Sequence, residues 1–444
     1  MSISRRKFII TAGATTAATL LVHGCSSTPT GTPESTATPE AGSSVAPSPV
    51  GALDTPEVTT AKLGFIALTD SAPLIVAKVK GIFAKYGMPD VEVAKQASWG
   101  ATRDNLELGS AGGGIDGAHI LTPMPYMMTL GTITKQPIPM NVLARLNTNG
   151  QAISLANTYS DLKVGVDSSP LKEVFGKAKS AGKEVKCAVT FPGGTHDLWM
   201  RYWLAAGGID PDKDVSTIVV PPPQMVANMK VNTMEAFCVG EPWNAQLVTQ
   251  KLGYTAFITG EMWKDHPEKA LAVRADWVEQ NPKAAKALTM AVLEAQQWCE
   301  KPENKEEMCT IIAGREWLKI EPTDILGRSQ GNVDYGIEGK TLENSPLLMK
   351  FWADFASYPF KSHDLWFLTE DIRWGYIPAD TDTKALVDQV NREDIWKEAA
   401  KALGVADAEI PSSSSRGVET FFDGVKFDPE NPAEYLKGLA IKKA

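Results

Sequence analysis

Along most of this chain, short runs rich in β-branched and aromatic residues alternate with longer stretches whose apolar positions fall at helical spacing. Lys62–Ile66 predicts a strand, and the Thr69-Asp70-Ser71-Ala72-Pro73 turn after it supplies cap residues and a proline suited to a first helical turn. A helix through Ile75, Val76 and Val79 then stops near Gly81, and Asp90–Val93 predicts the next strand. That opening implies parallel strands, and in parallel sheets ligands sit beyond the strands' C-terminal ends. The Thr69–Ala72 turn therefore points toward a site.

The pattern continues with a helix over Arg103–Leu108, a strand over Pro139–Leu146 and Lys163-Val164-Gly165-Val166 opening a second lobe. Further strands are expected at Cys187–Phe191, Ile218–Val220 and Ala236–Val239, with helices starting at Thr195 and spanning Gln224–Val231, Pro282–Cys299 and Asn304–Ala313. The final hundred residues read as helices and loops rich in aromatics. Glycines crowd Gly109–Gly117, yet neither G-K-[ST] nor GxGxxG opens a helix there, so a tight helix-to-strand turn is expected rather than a phosphate loop. The fold class is α/β: two lobes around a cleft, with a helix- and loop-rich C-terminal extension.

The N-terminus changes the picture of where such a body works. Arg5, Arg6 and Lys7 precede an apolar stretch from Ile9 to Val22 and then Gly24-Cys25. The stretch is short of the roughly 20 residues that span a bilayer, so it reads as an export signal. Its twin arginines resemble a Tat signal, and the Gly24-Cys25 junction resembles a lipobox that would lipidate Cys25. From Ser26 to Pro56 the chain is largely Ser, Thr, Pro, Gly and Ala, a composition that predicts a flexible tether. The expected organisation is 1–24 export signal, 25–56 tether, 57–150 first part of lobe 1, 151–243 lobe 2, and 244–444 completion of lobe 1 with the extension.

The formal net charge is −9 and becomes more negative by three when the signal leaves with its basic residues. Nucleic acid is thereby excluded as a partner, and any anion site must rely on a local cluster of donors. Cys187, Cys238, Cys299 and Cys309 show no C-x-x-C spacing and read as buried thiols. No triad order, metal cluster or nucleophile motif stands out, so the reading is not an enzyme and no cofactor is expected. A structural lipoprotein is the reading from another class; polar turns at a shared cleft fit binding better.

Leu63-Gly64-Phe65-Ile66, Ser71-Ala72-Pro73-Leu74, Gln96-Ala97-Ser98-Trp99, Gly112–Gly117 and Gly240-Glu241-Pro242-Trp243 resemble segments of cyanobacterial nitrate- and bicarbonate-binding lipoproteins of ABC transporters. Arg274-Ala275-Asp276-Trp277 and Thr420–Gly424 do so as well. The likeness spans the whole body. It implies a two-domain periplasmic-binding-protein fold of type II, anchored to the inner membrane through Cys25, monomeric, serving permease and ATPase subunits. The nitrate type has histidine after Thr-Phe-Pro and lysine after His-Pro-Glu, which here are His196 and Lys269; the bicarbonate type has glutamine and a metal-associated carboxylate. By resemblance Trp99, Gln151 and Gly240 complete a nitrate or nitrite site. The runner-up is calcium-assisted bicarbonate binding, followed by a sulfonate or thiamine-precursor ligand.

The chemistry agrees with that resemblance. Nitrate is a flat monoanion with no proton to donate, so its site needs donors around a plane and about one positive charge. Lys269 supplies charge and three donors, His196 sits in a helix N-terminal turn, and the remaining residues offer an amide, an indole and a backbone N–H. Spacing alone assigns none of this: it makes Lys269 a solvated helix lysine, His196 a cap and Trp99 core packing. Asp70, Asp116, Glu241 and Asp197 read as hinge and cap residues.

Overall fold

The computed structural model describes residues 55–443. The export signal, Cys25 and the tether as far as residue 54 lie outside the described residues. Ten strands carry the architecture: β1 (Lys62–Phe65), β2 (Glu92–Lys95), β3 (Gly117–Leu121), β4 (Met140–Thr148), β5 (Gln151–Ala156), β6 (Lys186–Val189), β7 (Ser216–Val219), β8 (Ala236–Gly240), β9 (Gly253–Ile258) and β10 (Pro267–Arg274). They form two five-stranded sheets of matching design, ordered β2-β1-β3-β10-β4 and β7-β6-β8-β5-β9. In each, the first three strands are parallel and the fourth runs against both its neighbours.

Two connections join the sheets. The chain passes from β4 to β5 through Asn149 and Gly150, both at positive φ (55° and 90°). It returns between β9 and β10 through Asp265 and His266. The two connections touch, with the Asn149 N–H donating to the His266 carbonyl at 3.0 Å. Asn149 also donates its side-chain amide to Asp265 at 3.2 Å. A reversal this short, with a second residue at positive φ, suits Asn-Gly.

Lys163, expected to open a strand of the second lobe, takes a left-handed turn (φ 45°) and starts no strand. The second sheet opens at Gln151, the bound expected for that lobe. It also runs beyond residue 243, because β9 pairs along the whole of β5. The C-terminal segment does not simply complete one lobe. Its helix Lys361–Trp374 stacks Trp366 on Trp199 of the helix Thr195–Ala206 (ring centroids 5.0 Å apart), behind the second sheet. The helix Glu393–Ala402 packs instead beside β4 of the first sheet. All four cysteines of the body are buried and free.

The glycine cluster is the expected turn. The helix Trp99–Leu108 ends at Gly109 (φ 67°), and Gly114 packs where a Cβ would collide with the Asn105 carbonyl oxygen. That oxygen already accepts from Gly109 and Ile115 at 3.1 and 3.0 Å. Gly114→Ala is expected to lower stability by about 1–3 kcal/mol in urea unfolding. Gly112→Ala, whose Cβ would meet only Leu108 at an ordinary 3.6 Å, should stay within about 0.5 kcal/mol of the parent.

Candidate functional site

Where the two sheets face each other, side chains from both are fully buried and bonded to one another. From the first sheet come Asp70, in the turn after β1, His119 on β3, and Glu268 and Lys269 on β10. From the second come Gln151, the first residue of β5, Gly240, its cross-strand partner on β8, and Thr195, His196 and Trp199 at the start of their helix.

Glu268 and Lys269 are consecutive, and in a regular strand they would face opposite ways. The register of β10 against β4 shifts on either side of Lys269, so Glu268 is an extra residue on its strand. This bulge lets both side chains enter the same cluster. The Lys269 Nζ lies 2.9 Å from Glu268 Oε1 and 3.0 Å from Asp70 Oδ2. It also sits 5.9 Å from the centre of the Trp99 ring.

Asp70 binds on both oxygens. Oδ1 meets His119 Nε2 at 2.7 Å, and Oδ2 accepts from the Gln151 amide at 3.1 Å as well as from Lys269. Because a carboxylate only accepts, the Gln151 nitrogen must face Asp70 and its oxygen must face His196, 2.8 Å from Nε2. His196 therefore carries its proton on Nε2, and Nδ1 accepts from the Thr190 hydroxyl at 2.6 Å. Glu268 is likewise saturated, accepting from Thr195, from the Trp199 indole at 2.8 Å and from Lys269.

The electrostatics follow from this enclosure. Burial raises the Asp70 carboxyl, but the Lys269 charge and the His119 contact outweigh it and hold it well below the usual carboxylate range. Burial pushes Glu268 up, against the pull of Lys269. Lys269 would be lowered by burial, yet Asp70 and Glu268 lift it above the ordinary lysine value. Burial first, and the Lys269 charge second, push His196 well down; burial lowers His119 and takes His266 to about 4. The groups aimed at Asp70 and Glu268 are the donors a carboxylate needs, and Lys269 is the one ammonium between them.

All five residues that the sequence nominated come together here: Trp99, Gln151, His196, Gly240 and Lys269. A Cβ on Gly240 would stand 2.6 Å from Gln151 Oε1, so only glycine leaves that amide in place. Trp99 stacks obliquely on His119 (5.4 Å between centroids), and its buried indole N–H has no partner among the described residues. Thr69, whose N–H bonds to the Glu241 carbonyl next to Gly240 at 2.8 Å, also has an unpartnered buried hydroxyl.

Asp70 corrects the expectation of a hinge or cap residue. It is the acceptor around which Lys269, His119 and Gln151 are arranged. Lys269 itself lies on a buried strand, not on a solvated helix. Asp116, Glu241 and Asp197 do serve local structure: Asp116 accepts from the Lys62 N–H, Glu241 pairs with Arg328, and Asp197 accepts from the Gly193 N–H. Glu268, Thr195 and His119 were not foreseen. A charged pair inside an otherwise apolar run, Pro267–Val273, is the signal that could have found Glu268.

With every carboxylate oxygen occupied, the groups left to meet a ligand are donors. Such a site suits a small anion that has no proton of its own.

Two mixed sheets linked by two adjacent crossings, with polar groups converging between them, make this a periplasmic-binding-protein fold. The crystal structure of the periplasmic nitrate-binding protein NrtA from Synechocystis matches it with a TM-score of 0.86 and 68% identity, covering 87% of this chain and 100% of that one. The model of the NMT1-like family matches residues 54–313. In sequence, the nitrate/nitrite binding protein NrtA of a Nostoc species is 64% identical over 443 residues, 99% of each chain. The bicarbonate-binding protein CmpA of Synechococcus elongatus is 44% identical over 451 residues, 100% of this chain and 99% of that one. The chain belongs to the NMT1-like family and to the family of the nitrate/nitrite-binding NrtA proteins.

Trp99→Phe separates fold from site. Removing an unpartnered donor should leave the urea midpoint unchanged or slightly raised. Anion affinity, measured by calorimetry, should fall by about tenfold or more, the worth of one hydrogen bond to a charged group.

Proposed function

We propose that this chain captures nitrate, and nitrite as its near-isostere, as the solute-binding component of an ABC importer. Its ligand residues are Trp99, Gln151, His196, Gly240 and Lys269. Lys269 supplies the positive charge. His196 donates from Nε2 by exchanging its bond to Gln151 Oε1 for one to the anion, Gln151 from the amide hydrogen that Asp70 does not take, Gly240 from its backbone, and Trp99 from its indole. The observation that carries the reading is the Trp99 N–H, a buried donor without a partner beside a buried ammonium. A buried donor is rarely left alone unless a ligand completes it.

The cargo is then passed to membrane permease and ATPase subunits. The protein works as a monomer on the periplasmic side of the inner membrane, held by lipid on Cys25 and a tether long enough to reach those subunits. The export-signal pattern supports that address. Nitrate is favoured over bicarbonate because bicarbonate carries a hydroxyl that needs an acceptor, and every carboxylate oxygen here already accepts from a protein donor. The higher identity to the nitrate/nitrite-binding relative than to the bicarbonate-binding one points the same way.

Calorimetric titration with nitrate, nitrite and bicarbonate, each with and without calcium, tests this. Nitrate and nitrite should bind indifferently to calcium; calcium-dependent bicarbonate binding with no nitrate heat would overturn the reading. Lys269→Glu should abolish binding, since it leaves three carboxylates and no cation in a buried site. Retention of affinity within a few-fold would remove Lys269 from the site.

A further inference from the structure

The proposal that the site binds a monoanion leaves its charge unbalanced. Lys269 is already shared by Asp70 and Glu268, at 3.0 and 2.9 Å, and all three are fully buried. Among the described residues, the neighbouring cations are committed elsewhere. Arg145 pairs with Asp364, Lys350 with Asp265 at 2.6 Å, and Arg416 with Glu419 at 3.2 Å. An arriving monoanion would make three negative charges around one positive in a volume without water access. Removing an uncompensated charge from water is costly enough that such a group takes up a proton instead.

We infer that nitrate is captured together with one proton, held by the His196–Glu268 pair. This rests on the nitrate reading above. His196 is the base nearest to both the ligand donors and the excess carboxylate: its Nε2 lies 3.6 Å from Glu268 Oε1. Its free lone pair is on Nδ1, facing the Thr190 hydroxyl, which can turn from donor to acceptor when that nitrogen gains a proton. The charged and titratable groups facing His196 are Lys269 and Glu268 from β10, Asp70 from the turn after β1, His119 from β3, and His266 from the second crossing. When Lys269 turns toward the anion, its attraction for both carboxylates weakens. An imidazolium at His196 then faces Glu268 on one side and the anion on the other.

The balance is simple. One proton leaves the solvent and one N–H bond forms at Nδ1; nothing is oxidised, and no leaving group departs. The sign follows from linkage: when the complex holds more protons than the free protein, affinity falls as pH rises.

The test is a proton count. The full-length protein is titrated with nitrate from about pH 6 to about pH 9 in pairs of buffers with unlike ionisation enthalpies. Uptake near one proton per nitrate is expected, with affinity falling by up to about tenfold per pH unit across the window where uptake is complete. Glu268→Gln carries the charge of the protonated wild type, and whatever its affinity, the proton uptake per nitrate bound should drop to near zero with a flat pH profile. Nitrate binding with no proton uptake and a flat profile in the wild type overturns the inference while leaving the nitrate reading standing. Full uptake retained in Glu268→Gln overturns the assignment to the His196–Glu268 pair. No nitrate heat in any buffer removes the function reading and this inference with it.

Discussion

A lysine ammonium with no exposure to water would, alone, cost several kcal/mol of desolvation. Lys269 is tolerated because Asp70 and Glu268 both reach it, and much of the site's geometry follows from satisfying those two carboxylates in turn. Asp70 needs further donors and recruits His119 and the Gln151 amide. That contact orients Gln151, which fixes the tautomer of His196. Glu268 recruits Thr195 and Trp199 from the first turns of the same helix. Chains of this kind are all-or-none: a single missing partner leaves a buried polar group unsatisfied, and the loss propagates.

The same bonds cross between the sheets. Asp70 and Gln151 belong to opposite sheets, as do Glu268 and Thr195. Polar satisfaction of the lysine therefore also holds the two lobes together, beside the paired crossings at Asn149-Gly150 and Asp265-His266. Those crossings are short and bonded to each other. The stacked tryptophans Trp199 and Trp366 add a second constraint, fixing the His196 helix to the C-terminal extension. That extension is tied in turn to the first sheet, where Asp364 pairs with Arg145 on β4.

The elements legible in the sequence are those whose chemistry is local. Strands built on unbroken apolar runs, such as the one near Cys187, and helices opened by a proline, such as the one from Pro282, can be read from their own residues. Strands β5, β9 and β10 could not. β5 follows β4 after only two residues, so no turn-rich gap separates them in the pattern. β10 opens with Pro267-Glu268-Lys269, which reads as the start of a solvated helix until one knows that the bulge buries both charges. The site shows the same division. Resemblance brought forward five donors, but Asp70 looked like an ordinary cap, because its partners lie 49, 81 and 199 positions away. What makes it central is long-range topology, which no local pattern carries.

Carboxylates beside an anion site would ordinarily weaken it, and their presence here has a physical use. An ammonium facing only an empty cleft would be free to swing toward water or another partner. Held between two carboxylates, it is kept at one position, so less side-chain freedom remains to be lost when the ligand arrives. The cost is that Lys269 stays satisfied when no ligand is present, so on the reading proposed above the anion competes with Asp70 for it. That competition favours a ligand able to engage every donor of the cluster at once. A planar oxyanion with three equivalent acceptors can take the Trp99 N–H, which Asp70 does not satisfy, while still sharing Lys269 and Gln151. Selectivity on this view comes less from the size of the cavity than from the one donor the resident carboxylate leaves unfilled.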